Sequence, residues 1–206
     1  GADDHVLESG SGWGGFAIYA ASAYGCRVTT TTISQAQYDF AQARIREEGL
    51  TDCITLLPED YRDLKGTYSK LVSIEMIEAV GHEYLETFFQ CCGKLLSSDG
   101  MMALQAITIT DQLFDQHTKS VDFIRRYVFP GGSVTSVTAL CNAATAASDL
   151  RLVHLEDITA HYVSTLRDWR GRFFAHIDTV RAMGYSEQFI RMWEFYFCSC
   201  GGAVSE

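Results

Sequence analysis

Residues 6–37, VLESGSGWGGFAIYAASAYGCRVTTTTISQAQ, decide the fold. A short apolar strand runs into Gly10, Gly12 and Gly14, with Ser11 and Trp13 between them; a helical stretch follows, then a second strand that ends in threonines. Glycines at a strand-to-helix turn let the backbone bend sharply and approach a ligand, while the first turn of the helix presents free N–H groups. Two ligands suit such a turn. A dinucleotide would set its pyrophosphate on those N–H groups and its ribose on an acid at the end of the second strand. S-adenosylmethionine, which has no phosphate, would lay its adenosine and methionine parts over the same turn. Gly15 satisfies the dinucleotide spacing too, so spacing leaves both open. The second strand weighs against the dinucleotide: TTTTISQAQ has no Asp or Glu, and Thr32, Ser34 and Gln37 offer hydroxyl and amide groups instead. Ser34 also suits the N-cap of the next helix, a role compatible with ligand contact.

Outward from this unit, strands and helices alternate. The pattern predicts strands at 5–9, 27–32, 53–58, 68–75 and 101–110, with helices over 13–24, 34–48 and 82–96 between them. Short apolar runs separated by helices imply a parallel sheet covered on both faces, an α/β architecture. From 110 to 148 the pattern becomes mostly helical, an insertion long enough to serve as a lid or pocket wall. DLRLVHLEDI (149–158) then reads as a returning strand, and two aromatic-rich helices close the chain. Their Trp169, Phe173, Phe174, Phe189, Trp193, Tyr196 and Phe197 fall near helical spacing, for which core packing is the default explanation.

The 206 residues, 47% of them hydrophobic, suffice for one domain with a sizeable core. A formal charge of -10, from 16 Lys plus Arg against 26 Asp plus Glu, argues against sequence-independent nucleic-acid binding, which needs cations along phosphates. The seven cysteines show no paired zinc spacing and suit free thiols in a reducing compartment. No apolar run reaches the roughly 18 residues of a membrane span. These features place the protein in the cytoplasm, with peripheral contact at a membrane surface left open by basic residues such as Arg125, Arg126, Arg167, Arg170 and Arg172.

GSGWGG (10–15), TTISQAQ (31–37), EDYRDL (59–64), SIEMIEAVGHEYLETFF (73–89), YVFPGGSVTS (127–136), HYVSTLRDW (161–169) and FCSCGGA (197–203), taken in order, resemble the cyclopropane fatty acid synthase family, which includes the mycolic acid cyclopropane synthases. The resemblance runs over nearly the whole chain. It implies a class I methyltransferase, with a Rossmann-like, mostly parallel sheet and a single domain over 1–206 whose helical insertion (110–148) forms an acyl pocket. It also implies S-adenosylmethionine as the methyl donor. Carried over by position, the cofactor contacts are Gly10, Ser11, Gly12, Trp13 and Gly14, then Thr32, Ile33, Ser34 and Gln37, then Asp60 and Tyr61, with Ile74 completing the wall. Asp60 equally reads as a solvated turn acid.

The implied reaction is attack by a cis double bond of a phospholipid acyl chain on the sulfonium methyl, then proton loss and closure of a three-membered ring. An alkene is a weak nucleophile, so alignment carries much of the acceleration. The family's base is a bicarbonate ion, and the resemblance assigns its cage to Glu78, Tyr162 and the backbone of Ile107, with Gln105 where many members have His and Cys200 near the site. Cys200 also reads as a small buried apolar residue. Glu75 and Glu78 lie three apart, which suggests a paired acid and base, but only Glu78 matches the cage. By the same resemblance a segment upstream of the glycine strand and a final strand pair are absent, so the chain is expected to be a truncated catalytic domain with weak or absent activity in isolation. A lipid C-methyltransferase giving a methyl or methylene branch, and a non-catalytic cofactor- or lipid-binding module, are the alternatives.

Overall fold

The structure, a computed structural model, describes residues 1–203. Its contacts divide the chain into two compact units: Gly1–Arg125 with Phe129–Arg151, and Arg126–Val128 with the chain from Leu152 onward.

The first unit holds a five-stranded sheet of β1 (His5–Ser9), β2 (Arg27–Thr31), β3 (Ile54–Leu57), β4 (Tyr68–Ile74) and β5 (Leu96–Gln105). All pairs are parallel and the order is β3-β2-β1-β4-β5. Side chains alternate across a strand, and β1 shows what that does. Val6 joins Val28 and Ile54 under α1 (Gly15–Tyr24) and α2 (Gln35–Glu47). Leu7, fully buried, joins Leu71 under α3 (Leu85–Leu95), where Phe88, Phe89 and Cys92 face inward. The small Ala17, Ala20 and Ala21 bring α1 close to the sheet. Helices thus cover both faces, as parallel sheets require.

Local signals place the ends. Gly14 and Gly25 bracket α1 in the left-handed region, and Ser34 caps α2 by accepting from the Gln37 N–H at 3.4 Å. α1 begins at Gly15 instead of the predicted 13, because Trp13 and Gly14 belong to the glycine turn. β5 begins five residues before its predicted start: Tyr68 pairs with Leu96 and Lys70 with Met101, so an irregularity absorbs the polar residues between. In the insertion, α4 (Asp111–Thr118) and a π-helical turn (Ile124–Val128) precede α5 (Val137–Ala147). α5 is part of the core layer: Ala143 is buried among Phe88, Phe89 and Cys92, with Ala139, Leu140 and Ala144 alongside.

The second unit is helical, with α6 (Thr159–Ala175), α7 (Ile177–Ala182) and α8 (Glu187–Ala203). α6 and α8 pack through buried Leu166, Ile190, Tyr196 and Phe197, and the Phe173 and Phe197 rings lie 5.8 Å apart. Trp169, 41% exposed, departs from the predicted core role. The strand predicted at 149–158 does not form among the described residues, and Leu152, Val153 and Leu155 are exposed there. Alternation specifies a strand only where a neighbour supplies the ladder. The seven cysteines are all free, and no described helix is long and apolar enough to cross a membrane.

Glu8 sits in the central strand, almost wholly buried, opposite Thr30, whose hydroxyl donates to its Oε2 at 2.6 Å. Burial raises its carboxyl from the ordinary 4.5 to about 7, against the Thr30 bond. The folded chain therefore holds a proton that the unfolded chain releases. Its contribution is fully present below pH 4.5 and is lost as pH rises through about 7, a loss on the order of 3 kcal/mol. Denaturant midpoints for wild type and Glu8→Gln at pH 5 and pH 8 check this. The variant should lose most of that decline and exceed wild type at the higher pH; parallel pH dependences would contradict it.

Candidate active site

The strand order reverses between β1 and β4, and the carboxyl ends of the strands beside such a switch are the usual ligand position in an open parallel sheet. Four apolar side chains stand exposed there: Trp13 (53%), Ile33 (81%), Ile74 (39%) and Ile107 (43%). Large apolar groups gathered at one edge mark a binding surface more readily than a solvated one.

The turn after β1 is locked by its own backbone. The Ser11 N–H donates to the Thr31 carbonyl at 2.7 Å and the Gly14 N–H to the Ser11 carbonyl at 2.9 Å. Gly10 has φ 95°, and a Cβ there would stand 2.8 Å from Cγ of Met76, so no side chain fits. Gly12, φ 49°, has open space beside it, so its requirement is conformational. Trp13 meets Phe40 edge-on at 5.3 Å, and its carbonyl accepts from Arg44 at 2.9 Å.

At the end of β2 the grip is neutral. The Thr32 hydroxyl accepts from the Ser34 N–H at 3.1 Å and donates to Gln37 Oε1 at 2.9 Å. Since Gln37 uses its amide oxygen on Thr32, its NH2 is turned to the opposite edge. Thr31 is anchored by donating to the Glu59 carbonyl. Asp60 is engaged differently from a free ligand contact: both carboxylate oxygens accept from the Arg62 guanidinium at 2.8 Å, and those bonds hold its carboxyl below the usual range. Tyr61 packs its ring edge-on against Phe88 at 5.5 Å, and burial pushes its phenol up.

Past Ile74 the chain turns through Glu75, Met76 and a 3-10 turn (Ile77–Ala79) that carries Glu78. Oε1 of Glu78 accepts from the Ile107 N–H at 2.6 Å, while Oε2 is buried with no hydrogen-bond partner. Burial raises the Glu78 carboxyl, the Ile107 bond opposes this, and the charge of Glu75 adds to the rise. Nε2 of Gln105 donates to Oε1 of Glu75 at 2.8 Å. The Glu78 carbonyl accepts from the Ser133 N–H at 2.8 Å, which ties in a segment whose Ser133 and Thr135 hydroxyls are buried without partners.

The glycine turn, Thr32 to Gln37, Ile74, Glu78, Gln105 and Ile107 therefore gather at the carboxyl ends of the strands. Tyr162 and Cys200 belong to the second unit, half-buried on α6 and α8; the Tyr162 ring lies 6.1 Å from that of Trp169. Sequence reasoning missed Met76, whose fit against Gly10 has no local signature, and the role of Glu75.

A sulfonium nucleoside fits these residues: neutral groups for its sugar, exposed apolar walls, and a carboxylate with an unpartnered buried oxygen for positive charge. A bicarbonate ion fits poorly. Ile107 has one N–H and gives it to Glu78, and one N–H of Gln105 goes to Glu75, so two of the donors assigned to the anion already serve carboxylates.

The profile of the family described as mycolic acid cyclopropane synthetase matches residues 2–205. Tuberculostearic acid methyltransferase UfaA1 of Mycobacterium tuberculosis is 38% identical over 194 residues, covering 93% of this chain and 45% of that protein. The cyclopropane-fatty-acyl-phospholipid synthase of Escherichia coli K12 is 36% identical over 198 residues, covering 96% of this chain and 49% of that protein. The chain thus spans about half the length of the curated relatives it matches. The crystal structure of mycolic acid cyclopropane synthase CmaA1 complexed with SAH and CTAB superposes with a TM-score of 0.88 at 24% identity, covering 98% of this chain and 73% of that one. That likeness shows the fold, a class I methyltransferase sheet. With a profile match over almost its whole length, the chain belongs to the mycolic acid cyclopropane synthetase family.

Proposed function

We propose that this chain carries the catalytic site of an S-adenosylmethionine-dependent enzyme that adds one carbon to a cis double bond of a phospholipid acyl chain and closes a cyclopropane ring. The observation that carries the reading is Glu78: an acid at the carboxyl ends of the strands with one oxygen fixed by Ile107 and the other buried and unpartnered. The methyl donor supplies an electrophilic carbon; its C–S bond breaks as the alkene forms a C–C bond, leaving a cation on the lipid. Exposed Trp13, Ile33, Ile74 and Ile107 line the same edge and keep water from that cation. Glu78 Oε2 stabilises the positive charge and takes one proton from the transferred carbon, whose C–H electrons then close the ring. No step passes through bicarbonate. Substrate presentation from a membrane surface is part of the same reading.

A second reading has support in the name of the 38% identical relative, a tuberculostearic acid methyltransferase. There the cation would be discharged without ring closure, leaving a methyl or methylene branch. NMR of the product separates the outcomes, since a ring and a methylene branch add the same mass.

Two measurements test the site. Glu78→Gln should lower kcat by about 100-fold or more with little change in S-adenosylhomocysteine affinity, the usual size of a lost proton-transfer group. In wild type the rate should fall as pH drops through the raised Glu78 pKa, with the ascending limb above the ordinary carboxylate range; an unchanged kcat in the variant would remove Glu78 from the chemistry. For the turn, Gly10→Ala should weaken S-adenosylhomocysteine binding by about tenfold or more, because left-handed backbone and the Met76 contact both oppose a methyl group. Gly171→Ala, in helix α6 with open space around it, should leave binding unchanged and raise the melting temperature. Equal affinities for the two variants by calorimetry would contradict the placement.

A further inference from the structure

We propose that Glu75 is a positioning residue: it commits the NH2 of the Gln105 carboxamide to itself and so fixes the amide carbonyl as the group Gln105 offers beside Glu78. This deepens the function proposed above and rests on that reading for its catalytic consequence.

The first observation is backbone strain. Glu75, at φ 49°, is the one described non-glycine residue with positive φ. A side chain there costs free energy that glycine would not, and such outliers concentrate where a site needs a particular side chain. The sheet does not need this one. The Glu75 N–H donates to the Gln105 carbonyl at 2.9 Å, extending the β4–β5 ladder past the Ile74–Gln105 pair, and any residue other than proline supplies that bond.

The carboxylate accepts from Gln105 Nε2 at 2.8 Å. An ionised carboxylate only accepts, so the amide must turn its NH2 edge toward Glu75, and its oxygen lies on the opposite edge. Two residues on, the Ile107 N–H serves Glu78 in the same way. Two acids three residues apart thus hold the three-residue exit of β5 from one side, and each removes a donor from the site. The Gln105 amide then presents an acceptor, which suits a cation on the lipid and opposes an anion. Without Glu75 the amide is free to flip and present its donors. In a bicarbonate cage Gln105 would donate to the anion; Glu75 reverses that polarity.

The test uses Glu75→Gly, Glu75→Gln and the exchange Glu75→Gln with Gln105→Glu. In 15N-labelled protein, the Gln105 side-chain NH2 signals are assigned by their loss in Gln105→Glu. One of those protons should exchange with solvent about tenfold more slowly than an exposed amide in wild type, and that protection should vanish in Glu75→Gly. The melting temperature of Glu75→Gly should hold or rise, since the strain is relieved. Glu75→Gln keeps the side-chain volume and an accepting oxygen but can also turn its own NH2 toward Gln105, so protection should weaken without vanishing. The exchange restores a hydrogen bond with its direction reversed, so it should regain wild-type melting temperature while methyl transfer to cis-unsaturated phospholipid stays down about tenfold or more, the scale of a misplaced polar group. Recovery of transfer together with stability would make Glu75 merely structural, and identical Gln105 signals in wild type and Glu75→Gly would overturn the proposal outright. If wild type transfers no methyl group, the amide signals alone decide whether Glu75 positions Gln105.

Discussion

The parallel pairing of β1 with β4 is the constraint on which the rest depends. Its register, Val6 with Lys70 through Glu8 with Val72, sends both strands out at the same edge of the sheet while their following segments diverge. The glycine turn follows β1 and the Glu75 to Glu78 turn follows β4 at that edge. Met76 joins the two sides: its side chain lies where a Cβ on Gly10 would be. The turn is therefore held by β4 as well as by its own hydrogen bonds, and a change at either position reaches the other.

Charge is distributed unevenly along that edge. On the β2 side the groups are neutral, with Thr32, Ser34 and Gln37 bonded among themselves. On the β4 and β5 side two carboxylates take the donors of Gln105 and Ile107, and one oxygen of Glu78 is buried without a partner. A ligand with a neutral sugar at one end and a cationic centre at the other matches this gradient, whereas a pyrophosphate would meet the carboxylates of Glu75 and Glu78. The acceptor-rich end also explains why a bound anion suits this chain poorly: burying a further negative charge beside Glu75 and Glu78 carries a large desolvation and repulsion cost.

Much of this was legible in residues alone. The first strand was located to the residue, and the Ser34 cap and the absence of an acid after β2 could be read directly, because glycine conformations, caps and alternation are local signals. The start of β5 was not legible: LSSDG (96–100) is polar and glycine-bearing, and it joins the strand through its neighbour across an irregular register. Segment 149–158 failed in the opposite sense, having the alternation of a strand without forming one. α5 read as part of a lid, yet its alanines pack on α3, a tertiary fact that composition does not carry. The i, i+3 acids were visible, but neither the positive φ of Glu75 nor its hold on Gln105 has a sequence signature. Asp60 and Tyr61 came from family position alone; in the structure Asp60 bonds Arg62 and Tyr61 packs on Phe88.

We propose that an adenosine-bearing sulfonium compound lies across the ends of β1 and β2, its sugar held by neutral groups. The most direct measurement is a titration of 15N-labelled protein with S-adenosylhomocysteine, followed at each backbone amide. Saturable shifts are expected at Gly12, Ile33, Ser34 and Gln37, with Asp4 and Arg27 at the far edge of the sheet unmoved. Shifts confined to that far edge, or none at ligand concentrations well above those of ordinary cofactor binding, would contradict it.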